Sequence, residues 1–194
     1  MAQAKVFIIM GPSGVGKTVI GHALLRRFKR LSKIVTYTTR TQRPGEVDHI
    51  DYHFVTPREF ERKVAAGDFI EHATVHGDSY GSAWEDLKRL AQQGISTLFI
   101  IDIQGAKILK KKIRDAVTIF IAPDNMNSLR VRLARRRSNE TQEQVDRRME
   151  TARREMAQKD WAEHMVINRQ GQRMEAIRAV AKIVKEYMYP HATK

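Results

Sequence analysis

Cysteine is absent from the 194 residues, which excludes disulfides, thiolate metal sites and a cysteine nucleophile and is compatible with a reducing compartment. Long apolar runs are missing too. The first, Val6 to Met10, is too short for a signal-peptide core or a membrane span, so a cytoplasmic protein with no membrane partner is expected. No internal repeat, low-complexity tract or Pro/Gly/Ser linker divides the chain, and this length supports one packed core with small inserted lobes. Acidic residues are outnumbered by basic ones, leaving a formal charge of +13. A field of that sign attracts nucleic acid, anionic lipid or small phosphorylated ligands without choosing among them. Part of the excess is concentrated, since Arg130, Arg132, Arg135, Arg136 and Arg137 are followed by Arg147, Arg148, Arg153 and Arg154. A solvated helix face accounts for several of these.

What is present alternates between strand and helix. Val6 to Met10 reads as a strand, and Thr18 to Phe28 carries Ile20, Ala23, Leu24 and Phe28 at helical spacing. Thr56, Pro57 and Glu59 form an N-cap, a first-turn proline and a capping-box acid for a helix to about Ala65. Ser82 and Glu85 repeat the device for a helix ending near Gly94. Tyr52 to Val55 and Phe69 to Val75 read as strands of an inserted lobe, with Phe69 and Glu71 on one face and Ile70 on the other. Thr97 to Ile101 and Val117 to Ala122 are buried strands of a parallel central sheet. Helices over Met126 to Arg136 and Gln142 to Gln158, broken at Ser138 to Thr141, make a hairpin carrying the arginines. Met165 to Asn168 is a last strand, before a helix striped by Met174, Ile177, Val180, Ala181 and Val184 that stops short of Pro190. The fold class is α/β with two excursions.

The most specific motif is Gly11-Pro12-Ser13-Gly14-Val15-Gly16-Lys17-Thr18, a match to G-x-x-x-x-G-K-[ST] placed after a strand and opening a helix. Its glycines let backbone N–H groups converge on phosphate oxygens, and the helix N-terminus adds a favourable dipole. In this setting the motif predicts ATP binding, with Lys17 on the β- and γ-phosphates and the Thr18 hydroxyl on Mg²⁺. The histidine pairs His49 with His53 and His72 with His76 lack helical spacing for a metal and read as surface or hydrogen-bonded residues. Trp84 and Trp161 read as packing residues.

Over almost its whole length the sequence resembles the guanylate kinase family. The resemblance is carried by Gly11 to Thr18, Thr38-Thr39-Arg40, Arg43-Pro44-Gly45-Glu46, Asp51-Tyr52, Phe54-Val55, Gly67-Asp68-Phe69-Ile70-Glu71 and Tyr80-Gly81-Ser82. It continues through Asp102-Ile103-Gln104-Gly105, Arg132-Leu133, Arg148 and Asn168. It implies a P-loop core (1–33, 83–124 and 159–194), a GMP-binding insertion (34–82) and a lid (125–158) that closes on ATP. By position, Thr36, Arg40, Arg43, Tyr52, Glu71, Tyr80, Ser82 and Asp102 would face GMP. Arg132, Arg136 and Arg148 would come from the lid, the first two on ATP. Lys17, Arg40, Arg43, Arg136 and Arg148 would be the catalytic set. The expected reaction passes the γ-phosphoryl group of Mg-ATP to GMP or dGMP, in a monomer or a homodimer.

Those residue types suit the chemistry. A nucleoside monophosphate is mostly dianionic at neutral pH and needs no strong base, so catalysis reduces to positioning and charge neutralisation, for which arginine forks are suited. Glu71 can accept from guanine N1–H and its exocyclic amine, whereas adenine offers an acceptor at N1. Three positions depart from the family pattern. Thr36 stands where serine is usual, Ile100 where an acid is common, and His49 where a glycine precedes the Asp-Tyr pair. Alternatives are a sugar-phosphate kinase such as ribose bisphosphate kinase, which needs no such guanine set, a non-catalytic guanylate-kinase-like binding module, which lacks a working P-loop, and a nucleic-acid-binding protein.

Overall fold

The computed structural model describes residues 4–75, 77–136 and 141–190, without the side chains of Val75, Arg135 and Arg136. A five-stranded sheet runs through the centre. Its strands are β1 (Val6–Met10), β2 (Leu31–Lys33), β7 (Ser96–Ile100), β8 (Val117–Pro123) and β9 (His164–Asn168), in the order β2-β7-β1-β8-β9. All four pairings are parallel. Apolar runs without alternation predict strands covered on both faces, and the packing is of that kind. Phe7 and Ile9 of β1 enter one core with α1 (Lys17–Arg27), α5 (Met126–Arg136), α6 (Gln142–Met156) and α7 (Arg173–Met188). Ile8 and Met10 enter a second with α3 (Trp84–Gln92) and α4 (Ile103–Lys112). The result is the three-layer α/β arrangement expected of a P-loop core.

A second sheet, order β4-β3-β6-β5, is built from β3 (Thr36–Thr38), β4 (Tyr52–Phe54), β5 (Phe69–Val75) and β6 (Asp78–Ala83). It has a small core of its own, in which Phe60 of α2 (Pro57–Ala65) packs on Phe69 and Ala83. Thr56 and Glu59 close both bonds of the expected capping box at the start of α2. Trp84 and Trp161 pack against the second core, as the sequence suggests.

Three expectations are corrected. Ser82 does not cap α3: it belongs to β6, the cap position is Ala83 with no side-chain bond, and the Ser82 hydroxyl is spent on Glu71 at 2.8 Å. Phe69 and Glu71 do not share a face, because a bulge between them pairs Phe69 with Ala83 and Glu71 with Ser82, adjacent residues that point to opposite sides. The helix expected to reach Gln158 ends at Met156 and is followed by a single 3₁₀ turn, Lys159–Trp161. Helix α4 and strands β2, β3 and β6 are additions to the elements read from sequence. The expected break at Ser138 to Thr141 falls largely on residues 137–140, outside the described residues, as does His76.

Candidate nucleotide site

Parallel strands deliver their following loops to one edge of the sheet. After β1 comes the glycine loop, after β7 Asp102 and after β8 Asp124, and β9 ends at Asn168. Gly11 (φ 136°) and Gly16 (φ 103°) adopt backbone angles that side chains disfavour, and each is also crowded. A Cβ on Gly11 would lie 2.2 Å from the Ile121 carbonyl oxygen, and one on Gly16 would lie 2.6 Å from Asn168 Nδ2. That Asn168 nitrogen donates to the Val15 carbonyl at 2.7 Å, tying the loop to the far strand. Lys17 Nζ donates to the carbonyl oxygens of Gly11 (2.5 Å) and Pro12 (3.1 Å), so its ammonium lies over the loop that it is expected to serve. Thr18 is exposed in the first turn of α1.

From the helical hairpin, Arg148 Nη2 donates to Ser13 Oγ at 2.7 Å. Arg132 donates to the Asn168 carbonyl at 2.8 Å and lies 3.9 Å from Asp124. Arg136 closes α5, and its side chain is outside the described part. Several other arginines of the cluster are spent on local acids: Arg147 on Glu143, Arg153 and Arg154 on Glu150, and Arg130 on Asp146.

The second sheet gathers the remaining candidates. Glu71 is only 9% exposed, and burial pushes its carboxyl above the usual range against the Ser82 bond that favours the ion. Ser82 is 1% exposed, so this pair is fixed by its surroundings. Thr36 pairs with Tyr52 across β3 and β4. The Tyr52 and Tyr80 rings meet edge to face at 6.2 Å, with the Arg40 guanidinium 5.3 Å from the centre of Tyr52. Burial raises the Tyr52 phenol. Arg40 donates from Nη2 to both Glu46 carboxylate oxygens at 2.7 and 2.9 Å, which holds the Glu46 carboxyl low, and from Nη1 to the Thr41 carbonyl at 2.6 Å. Arg43 is exposed and its backbone N–H donates to the same carboxylate.

Asp102 joins the two halves. It caps α4 by accepting from the Gly105 N–H at 2.8 Å, and its charge acts on Glu71 on one side and on Glu155 on the other. Glu155 of α6, which no sequence motif singled out, is half-buried, and burial raises its carboxyl against the nearby charge of Lys17. Asn168, Glu46 and Asp124 are likewise structural partners that the list of candidates omitted. The signal for Glu46 was its place in the Arg43-Pro44-Gly45-Glu46 run; Glu155 had none.

The departures also find their places. Ile100 packs against α1, its δ-methyl 2.3 Å from where a Cβ on Gly21 would stand. His49 holds φ 63°, the conformation for which a glycine is suited, and bonds His53 through Nδ1 at 2.7 Å. No described helix is long and apolar enough to cross a membrane. A separate open cleft of 910 Å³ beside Lys63, Asp68, Trp84 and Arg89 contains none of the candidate residues.

A family model described as guanylate kinase matches residues 3–187. The guanylate kinase of Syntrophotalea carbinolica is 42% identical over 84% of this chain and 77% of that protein. That of Chromohalobacter salexigens is 40% identical over 86% and 77%. A crystal structure of guanylate kinase from Anaplasma phagocytophilum superposes with a TM-score of 0.75 at 29% identity, covering 97% of this chain and 88% of that one. The glycine loop, the second sheet and the helical hairpin thus stand in a chain that belongs to the guanylate kinase family.

Proposed function

We propose that this chain transfers the terminal phosphoryl group of ATP to GMP or dGMP, and that residues 34–82 hold the acceptor while residues 125–158 close over the donor. The observation that carries the reading is the position of Asp102: a Cβ on Gly105 would lie 3.5 Å from its carboxylate and 3.8 Å from that of buried Glu71, while Asp102 itself opens α4 at the sheet edge that carries the glycine loop. Two substrates bound at those places meet across one carboxylate.

Glu71 accepts from guanine N1–H and the exocyclic amine while Ser82 continues to donate to it, and the Thr36 hydroxyl addresses O6. Tyr52, Tyr80, Arg40 and Arg43 hold the acceptor phosphate. Arg40 then exchanges Glu46 for phosphate, a charge-for-charge replacement at its Nη2. On the donor side the loop N–H groups and Lys17 take the phosphates, with Arg132, Arg136 and Arg148 drawn in from the hairpin. An acceptor phosphate oxygen attacks the γ-phosphorus, the bond to the β–γ bridging oxygen breaks, and ADP leaves. The exposed Thr18 hydroxyl at the loop mouth is the hard oxygen ligand that Mg²⁺ favours beside phosphate oxygens and water. When bound, the ion neutralises charge on the β- and γ-phosphates.

A coupled assay of ADP release from Mg-ATP tests this with GMP, AMP and ribose bisphosphate as acceptors. GMP is expected to support turnover and AMP to fall short by orders of magnitude. Turnover with ribose bisphosphate instead would favour the sugar-phosphate reading, and no turnover in a folded sample the non-catalytic module.

A further inference from the structure

The last strand of the central sheet is open along one side. β9 ends the order β2-β7-β1-β8-β9, so it pairs with β8 alone and its outer N–H and C=O groups have no strand partner among the described residues. Such an edge accepts another strand unless its side chains forbid it. Along β9 and its flanks the side chains alternate: Val166 and Asn168 are buried, while Glu163, Met165, Ile167 and Arg169 are exposed. Val166 enters the core that contains α7. The exposed row lies on the other face, where Glu163 accepts from Lys110 of α4 at 2.7 Å and from the Thr118 N–H at 3.0 Å. Two large apolar side chains are thus left in water beside the open edge, Met165 at 51% and Ile167 at 38% exposure. Among the described residues no acid pairs with the Arg169 side chain.

Read along the strand, the row is acid, apolar, apolar, base, and it is its own complement. If a second copy lies antiparallel with Val166 opposite Val166, Met165 of each faces Ile167 of the other and Glu163 of each faces Arg169 of the other. A two-fold axis through Val166, normal to the sheet, makes every contact twice, as a self-complementary interface requires. Parallel addition in register would set acid against acid and base against base. Sliding the antiparallel register by two residues loses both ion pairs, so the end charges select one direction and one register. Glu163 need not leave Lys110 or Thr118, because a carboxylate has about four acceptor positions. We propose that β9 is the interaction surface for a second copy of this chain, which adds its own β9 antiparallel and joins the two central sheets into one. The strand is five residues long, and a pairing of that length belongs with interfaces below about 1,200 Å², so the dimer is weak and depends on concentration.

The test is sedimentation velocity on the full chain from about 1 to about 500 μM, with hydrogen exchange of the β9 amides at both ends of the range. The proposal expects monomer at the low end, dimer at the high end and slower exchange of outward β9 amides in the dimer. Met165→Lys puts a charge into the apolar pair, and Arg169→Glu sets acid against acid. Each should raise the dissociation constant about tenfold or more. Both side chains are exposed, so the fold is kept. Ile50→Lys, at a residue 69% exposed and away from β9, should change nothing. A monomer at every concentration overturns the proposal and leaves the edge to a strand of some other protein. A dimer that withstands Met165→Lys and Arg169→Glu, or that leaves β9 exchange unchanged, overturns it by placing the contact elsewhere.

Discussion

Glu71 is a buried acid with a single hydroxyl partner, and its ligand-free state is therefore costly. Burial raises its carboxyl pKa above the ordinary carboxylate value. The folded chain thus holds this proton to higher pH than the unfolded chain does. Its contribution to stability is full below the ordinary carboxylate pKa and is lost as pH rises through the raised value. Glu71→Gln should accordingly stabilise the ligand-free protein at pH 7 by on the order of 1 kcal/mol, with the gain vanishing near pH 4 in denaturant titrations. Function responds in the other direction. In the proposed role the ionised form accepts two guanine donors, so the KM for GMP should rise as pH falls through the raised pKa while the KM for ATP holds. A GMP profile without that acid limb would count against the assignment.

At the level of elements, the small lobe depends on α2 being anchored, since Phe60 supplies much of its core. Thr56 accepts from the Glu59 N–H, and the Glu59 carboxylate accepts from the Thr56 N–H. Thr56→Ala should cost about 1 kcal/mol of stability in chemical denaturation and leave the turnover number intact, because the cap is remote from the candidate site. This helix was legible because its capping chemistry is local, and β1 was legible from an unbroken apolar run of β-branched character. Other elements were not. Strands β2 and β3 are three residues long, too short for a period to declare itself. Helix α4 is opened by Asp102 but contains Gly105, which weakens the helical signal. The bulge at Ile70 that re-aims Glu71 is a property of pairing between β5 and β6 and has no mark within β5. Ser82 illustrates a local pattern overridden by tertiary demand: its spacing to Glu85 imitates a capping box, and a buried carboxylate takes the hydroxyl instead. Glu155 sits in a helix whose other acids form exposed ion pairs, so nothing in its neighbourhood distinguishes it.

For the whole molecule, the excess of positive charge acts at long range on two polyanionic substrates. Much of the hairpin's share is cancelled locally by Glu143, Asp146 and Glu150, but the net +13 is not. Raising ionic strength from about 50 to about 500 mM should therefore increase the KM for both substrates several-fold, while the turnover number changes less. The central claim is narrower: one carboxylate on a small sheet recognises the guanine edge opposite a glycine loop that holds ATP. Inosine monophosphate keeps N1–H and O6 and lacks the exocyclic amine, so it removes from the substrate one donor that Glu71 is said to accept. The most direct measurement is kcat/KM for GMP and for inosine monophosphate with the wild type and with Glu71→Gln. The account predicts a preference for GMP of about 100-fold or more in the wild type that collapses to within a few-fold in the variant. A variant that is slower with both substrates but keeps the wild-type preference would contradict it.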